Sequence, residues 1–214
     1  MPTRNLYHPV VIGMGGGTGS GKSALARRVA ARRWDWGVSM VDQDSYYKDL
    51  GHLSAEARNA INYDEPCALD HDLLFQHFQR LTQGEAVEKP RYCFATHART
   101  AETDRVCPSP LIILEGLYAL WDPRLRALID LKIYLDADPD VRLIRRIRRD
   151  VQERGRTVES VLAQYLNSVR PMHLLHIDPT KAQADLVLDS TVTPLEDLAE
   201  AADQALVPVL ETRD

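Results

Sequence analysis

The run Gly16-Gly17-Thr18-Gly19-Ser20-Gly21-Lys22-Ser23 satisfies G-x-x-x-x-G-K-[S/T] at every fixed position, and no other stretch limits the possible folds as much. A loop of this kind wraps a phosphate with backbone N–H groups, in dihedrals that side chains forbid, and it belongs between a strand and a helix. Both flanks are present: Val10 to Met14 is a short apolar run that reads as a buried strand, and Lys22 to Arg33 carries a helical pattern whose positive end faces the anion. In that arrangement Gly16, Gly17, Thr18, Gly19, Ser20 and Gly21 cradle the phosphates of a nucleoside triphosphate. Lys22 reaches its β- and γ-phosphates, and the Ser23 hydroxyl ligates magnesium. A glycine-rich turn capped by Ser20 is the bland alternative, which the complete match and both flanks outweigh.

Further short apolar runs at Val38 to Val41, Leu111 to Leu114, Ile133 to Leu135 and Leu186 to Leu188 read as buried strands. Helical patterns fall at His71 to Leu81, Asp138 to Glu153, Val158 to Val169 and Leu195 to Val207. Strand and helix in alternation predict an α/β fold: a P-loop NTPase-type parallel sheet of about five strands flanked by helices. The 214 residues suit one domain spanning 1–214. Residues 45–110 interrupt the rhythm with irregular polar stretches and are expected to be an insertion on the substrate side.

The longest apolar run is about five residues, far below the roughly 20 that a membrane-spanning helix needs, so no membrane partner is expected. Arg4 and the short run Val10 to Met14 make no signal peptide, and a cytoplasmic location is expected. Cys67, Cys93 and Cys107 form no C-x-x-C pair, which fits a reducing compartment. A net charge of -5 argues against nucleic acid as a partner.

Ligands of open parallel sheets lie beyond the carboxyl ends of the strands. Asp42 and Asp44 follow the second strand, and Glu115 follows the run Leu111 to Leu114. Glu115 stands where phosphate-loop proteins keep a magnesium-organising acid, and a carboxylate at the second strand's end could deprotonate an attacking hydroxyl; a turn cap is the other reading of Asp42 and Asp44. Asp138-Pro139 signals a helix start. Along that helix Leu143, Ile144, Ile147 and Val151 are expected to be buried, with Arg142, Arg145, Arg146 and Arg149 sharing one face. From Val141 to Arg156 seven arginines stand against two acids, an excess that suits a triphosphate, and Gly155 between Arg154 and Arg156 could hinge a lid over a transferring phosphoryl group.

Downstream stand Asp42-Gln43-Asp44-Ser45-Tyr46-Tyr47, Asn62-Tyr63-Asp64-Glu65-Pro66, Pro90-Arg91-Tyr92-Cys93-Phe94-Ala95-Thr96-His97-Ala98-Arg99, Leu114-Glu115-Gly116, Arg145 to Val151, Glu153-Arg154-Gly155-Arg156 and Gln164-Tyr165. In this order, over roughly residues 10 to 188, the series closely resembles the uridine kinase (uridine-cytidine kinase) family. The resemblance implies transfer of the γ-phosphoryl of ATP (or GTP) to the 5'-hydroxyl of uridine or cytidine, with Mg2+, by a homotetramer. It implies that Asp44 is the catalytic base and, with Ser23 and Glu115, a metal-side group. Asp64 with Arg146 would hold the ribose, Tyr92 and His97 read the base, and Tyr63 and Phe94 pack around it. Arg149, Arg154 and Arg156 would be lid and phosphate contacts in a lid at about 141–170, and Gln164 a further nucleoside contact. Cys93 and Glu65 depart from the family's usual residues, as does Asp189-Ser190-Thr191; Cys93 is expected to be a small buried hydrophobe. A phosphoribulokinase-like or pantothenate kinase-like enzyme and a non-catalytic nucleotide sensor remain alternatives.

Overall fold

The computed structural model describes residues 9–33, 35 and 37–212; Arg4 lies outside the described residues. In chain order the elements are β1 (Val10–Gly15), α1 (Lys22–Arg32), β2 (Val38–Asp42), α2 (Ala55–Asn59), α3 (His71–Thr82), β3 (Val87–Cys93), β4 (Ala98–Val106) and β5 (Leu111–Glu115). They continue with α4 (Pro123–Arg126), β6 (Leu131–Asp136), α5 (Pro139–Arg154), α6 (Val158–Gln164), α7 (Arg170–Met172), β7 (Leu186–Asp189) and α8 (Leu195–Glu211). Five strands form one parallel sheet in the order β2-β5-β1-β6-β7. All five strands expected from the sequence are there, each extended by one to three residues.

Alternation along the central strands sends neighbouring side chains to opposite faces of the sheet. Val11 and Ile112 face a core built with Leu74, Phe78 and Leu81 of α3, whereas Ile12 and Ile113 face one built with Leu25 and Val29 of α1 and Leu198, Ala202 and Leu206 of α8. Burial on both faces is why these strands read as continuous apolar runs. The carboxyl ends of β1, β2 and β5 then place Gly15, Asp42 and Glu115 on one edge of the sheet.

Between β2 and β5 the chain contains a feature that the sequence reading left irregular: an antiparallel hairpin of β3 and β4. Its strands show no apolar alternation: Val87, Lys89 and Pro90 are the buried positions of β3, and none of β4 is fully buried. Val87, with Tyr92 and Val106 packed beside it, ties the hairpin to the core on the α3 side, while Arg91, bonded to Asp104 and Glu102, lies on the exposed face. Lys89, 9% exposed, faces inward and donates to Oδ1 of Asp42 at 2.5 Å and to Oγ of Ser45 at 2.9 Å, tying the hairpin to the end of β2.

Two further expectations require correction. On α5 the buried side chains are Arg142, Arg146 and Asp150; Leu143 and Ile147 are only half-buried, and Ile144 and Val151 are exposed. The inner face of this helix meets the polar phosphate loop rather than an apolar core, which reverses the usual pattern. The helix from Val158 is regular only to Gln164. It widens into π turns at Tyr165–Val169 and His173–Ile177 on either side of α7 before closing in a 3-10 stretch, Asp178–Gln183.

Candidate active site

The phosphate loop leaves β1 and reaches the first turn of α1 through backbone that only glycine adopts easily. Gly16 has φ 142° and Gly19 φ 76°; a Cβ on either would lie 2.3 Å from a backbone oxygen, that of Leu135 or of Arg142. Gly21 occupies the N-cap of α1 and supplies no side-chain cap, and no acid follows in the first turn. The opening N–H groups of the helix are thus left for an anion.

Around this loop the strand ends converge. Ser23 Oγ donates to Oε2 of Glu115 at 3.0 Å, bringing together a hydroxyl and a carboxylate that lie 92 residues apart. Burial raises the Glu115 pKa above the usual carboxylate range; the Lys22 ammonium opposes that shift and the Asp44 carboxylate adds to it. Burial likewise lowers Lys22, while Glu115 and Asp44 pull it back up. Lys22, Asp44 and Glu115 are therefore near neighbours. Asp44 sits in the 3-10 turn Gln43–Tyr46, whose geometry is pinned from below: Ser45 donates to Asp42, and Gln43 accepts from the Tyr118 amide at 2.7 Å. Gly116 is required there, since a Cβ would lie 2.4 Å from the Gln43 side chain.

Among the described residues no group of three or more His, Cys, Asp or Glu is placed to hold a metal ion. The pair Ser23 and Glu115 suits magnesium, which keeps several waters and takes one or two carboxylates together with substrate phosphates, rather than a protein cage. Ser23 and buried Glu115 are hard oxygen donors of the right kind beside the phosphate cradle, so the residues present fit it.

The four arginines expected on one face of α5 diverge. Arg142 lies against the phosphate loop, its Nε on the Ala137 carbonyl at 3.0 Å and its Nη2 3.2 Å from His173, while Arg145 reaches the carbonyl of Ser190 at 2.8 Å. Arg146 donates to Thr18 Oγ1 at 3.2 Å and to Gln164 Oε1 at 2.9 Å. Arg149 pairs with Asp150 at 2.8 Å. Asp150, fully buried, is the centre of a cage: Arg146, Arg154 and Arg156 lie 3.5, 3.7 and 3.8 Å from it as well.

Beyond the loop opens a cavity of about 980 Å³. Thr18, Lys22, Asp44, Arg146 and Arg149 line it on the phosphate side, and Tyr63, Asp64, Tyr92, Phe94, His97, Arg154, Arg156 and Gln164 complete the expected set. Gly16, Gly17, Gly19, Ser20, Gly21, Ser23 and Glu115 lie outside its wall, in and beside the loop. At the far end Tyr63 stacks on His97, with centroids 4.3 Å apart, and Arg154 sits 4.5 Å over the Phe94 ring. The hydroxyls of Tyr63 and Tyr92 are buried without a partner, which leaves two unspent polar groups for a ligand. His97 takes φ 52°, an uncommon backbone for a non-glycine residue, and burial lowers its pKa below the usual histidine value. Between the two ends Gln164 bridges Arg146 and Asp64, accepting from one and donating to the other at 3.1 Å.

Sequence reading missed three participants. Ser168 donates to Asp64 at 2.5 Å from four residues beyond Gln164, a spacing that could have revealed it. Lys89 left no such signal, because its partner Asp42 comes from another element; the hub role of Asp150 did leave one, since Arg146 and Arg154 stand four residues to either side of it on α5. Cys93 is half-exposed at the hairpin turn, not a buried hydrophobe, and hydrogen bonding with Thr96 lowers its thiol pKa.

The model of the Phosphoribulokinase / Uridine kinase family matches residues 11–197. A uridine kinase from Brevibacillus brevis is 52% identical over 183 residues, 86% of this chain and 86% of that protein. A uridine kinase from Clostridium perfringens is 49% identical over 183 residues, 86% of this chain and 88% of that protein. Among solved structures, phosphoribulokinase from Rhodobacter spheroides superposes with a TM-score of 0.64 at 18% identity, covering 89% of this chain and 73% of that one, a likeness of fold.

Proposed function

The chain belongs to the Phosphoribulokinase / Uridine kinase family, and from that premise we propose that it is a pyrimidine ribonucleoside kinase, a phosphotransferase acting on a hydroxyl group. The acceptor is uridine or cytidine, phosphorylated at the 5'-hydroxyl, and the donor is ATP or GTP. One observation carries the reading: a single cavity has Lys22, Thr18 and Asp44 at one end, aromatic rings with two unpartnered phenol hydroxyls at the other, and the Asp64–Gln164–Arg146 chain between them. That is the layout of phosphate, sugar and base.

In this reading the carboxylate of Asp44 takes the proton of the 5'-hydroxyl as the oxygen attacks the γ-phosphorus. The bond to the β-phosphate oxygen breaks, and the nucleoside diphosphate leaves. Lys22 neutralises charge on the phosphates, and Arg149, Arg154 and Arg156 turn from Asp150 toward them as the lid, residues 141–170, closes. Ser23 and Glu115, with Asp44 beside them, would hold Mg2+, which offsets charge on the transferring group. Asp64 and Arg146 hold the ribose hydroxyls as acceptor and donor, and the insertion, residues 45–110, supplies the base side. Tyr92 and neutral His97 read the pyrimidine edge, where the tautomers of His97 serve uracil and cytosine alike. A cytoplasmic homotetramer completes the proposal; among the described residues no helix is long and apolar enough to cross a membrane.

Magnesium-dependent ADP release by the purified protein tests it, with uridine, cytidine, 2'-deoxyuridine, adenosine and ribulose 5-phosphate as separate acceptors. Turnover confined to uridine and cytidine is the expected result. Turnover with ribulose 5-phosphate, or with none of these, overturns the pocket assignment around Tyr92 and His97.

A further inference from the structure

We infer that Ser168 is a specificity-determining positioning residue: it aims the Asp64 carboxylate at the sugar of the acceptor and so sets the preference for ribose over deoxyribose. The inference rests on the proposed function. Asp64 is 9% exposed and lines the cavity. Both of its side-chain hydrogen bonds fall on the same oxygen, Oδ2, which accepts from Gln164 Nε2 at 3.1 Å and from Ser168 Oγ at 2.5 Å. Neither bond involves Oδ1, which among the described residues stays open as the acceptor that the carboxylate offers to a ligand hydroxyl.

The local backbone explains how one helix delivers two donors to one atom. Gln164 ends α6 and Ser168 lies in the π turn that follows, so four residues separate them and their side chains share a face. Turns of this kind recur at functional sites. A helical serine commonly bonds back to the carbonyl four residues earlier, and the Gln164 carbonyl is within 3.1 Å of Ser168 Oγ. The hydroxyl has one hydrogen, and the shorter contact, to an ionised acceptor, is the stronger claim on it. The terminal torsion of an aspartate is soft, so a single donor would leave the carboxylate free to swing. Two donors on Oδ2 lock it, and a ribose hydroxyl then meets a fixed acceptor; a deoxyribose leaves that acceptor desolvated and unpaired.

The test compares wild type, Ser168→Ala and Ser168→Thr for phosphorylation of uridine, 2'-deoxyuridine and 3'-deoxyuridine. Ser168→Ala is expected to raise the KM for uridine about tenfold, with a smaller fall in kcat, and to cut the discrimination against at least one deoxynucleoside by about fivefold or more. Ser168→Thr, which keeps the hydroxyl, is expected to restore both. Wild-type turnover of uridine with an unchanged KM and unchanged discrimination in Ser168→Ala overturns the inference alone. So does a Ser168→Ala defect that Ser168→Thr fails to rescue, which would mark lost packing. A wild type that phosphorylates neither uridine nor cytidine overturns the proposed function and this inference with it.

Discussion

Replacing Asp44 by asparagine keeps the shape of the side chain and removes its capacity to take a proton. Asp44→Asn is expected to lower kcat by a factor of about 10² or more while the dissociation constant for ATP changes little, as steady-state kinetics and calorimetric titration would show. The sharpness of that contrast depends on residues that hold the turn, since Ser45, Asp42 and Lys89 keep the 3-10 segment in place whichever group stands at position 44. Residue identity was readable here because the site uses types with narrow chemistry: glycines in the loop, a lysine and serine behind it, carboxylates at strand ends. Ser168 and Lys89 escaped notice because a serine or a lysine is common anywhere on a surface, and only contact with Asp64 or Asp42 gives it meaning.

The helix α5 behaves as a charged partition between the phosphate loop and the cavity. Asp150→Ala would leave the buried guanidinium of Arg146 without its carboxylate, although Arg149, Arg154 and Arg156 are each about a third exposed and can turn to water. The expected cost is about 3 kcal/mol of stability, measured as a shift in denaturant unfolding. The π turn that begins at His173 adds a pH dependence. Burial, with Arg142 alongside, lowers the His173 pKa to about 4, while Asp178 and Asp136 oppose the shift. Between pH 6.5 and 4 the unfolded chain therefore binds a proton that the folded chain refuses, so stability falls as pH drops through that window and is unaffected by this group above it. Denaturant unfolding at pH 7.5 and 4.5 is expected to show wild type losing about 2 kcal/mol more than His173→Gln.

At the scale of the molecule, the proposed homotetramer is expected to give four times the 24.2 kDa chain mass in sedimentation equilibrium, and a single chain mass would overturn it. The parallel sheet and the phosphate loop with its helix were legible in the chain itself; Tyr63, Asp64, Tyr92, Phe94, His97 and Gln164 were named only through the family resemblance, and Ser168, which lines the same cavity, was not named at all. Periodicity and residue type are local properties, and a strand buried on both faces or a glycine-rich anion loop announces itself within a dozen positions. The hairpin β3–β4 was not legible, because its core-facing apolar residues, Val87, Tyr92 and Val106, are too few and too widely spaced for an apolar alternation to mark it. Nor was the inner face of α5. An arginine buried against a phosphate loop and an exposed isoleucine invert the pattern from which burial is inferred, and only the approach of the loop to the helix makes that inversion favourable. The same holds for the division of labour among the arginines. Seven of them within sixteen residues advertise a phosphate partner, and Asp150 is a local partner on the same helix, but which of them meets Thr18, His173 or the Ser190 carbonyl depends on groups brought from far along the chain, and therefore on the fold.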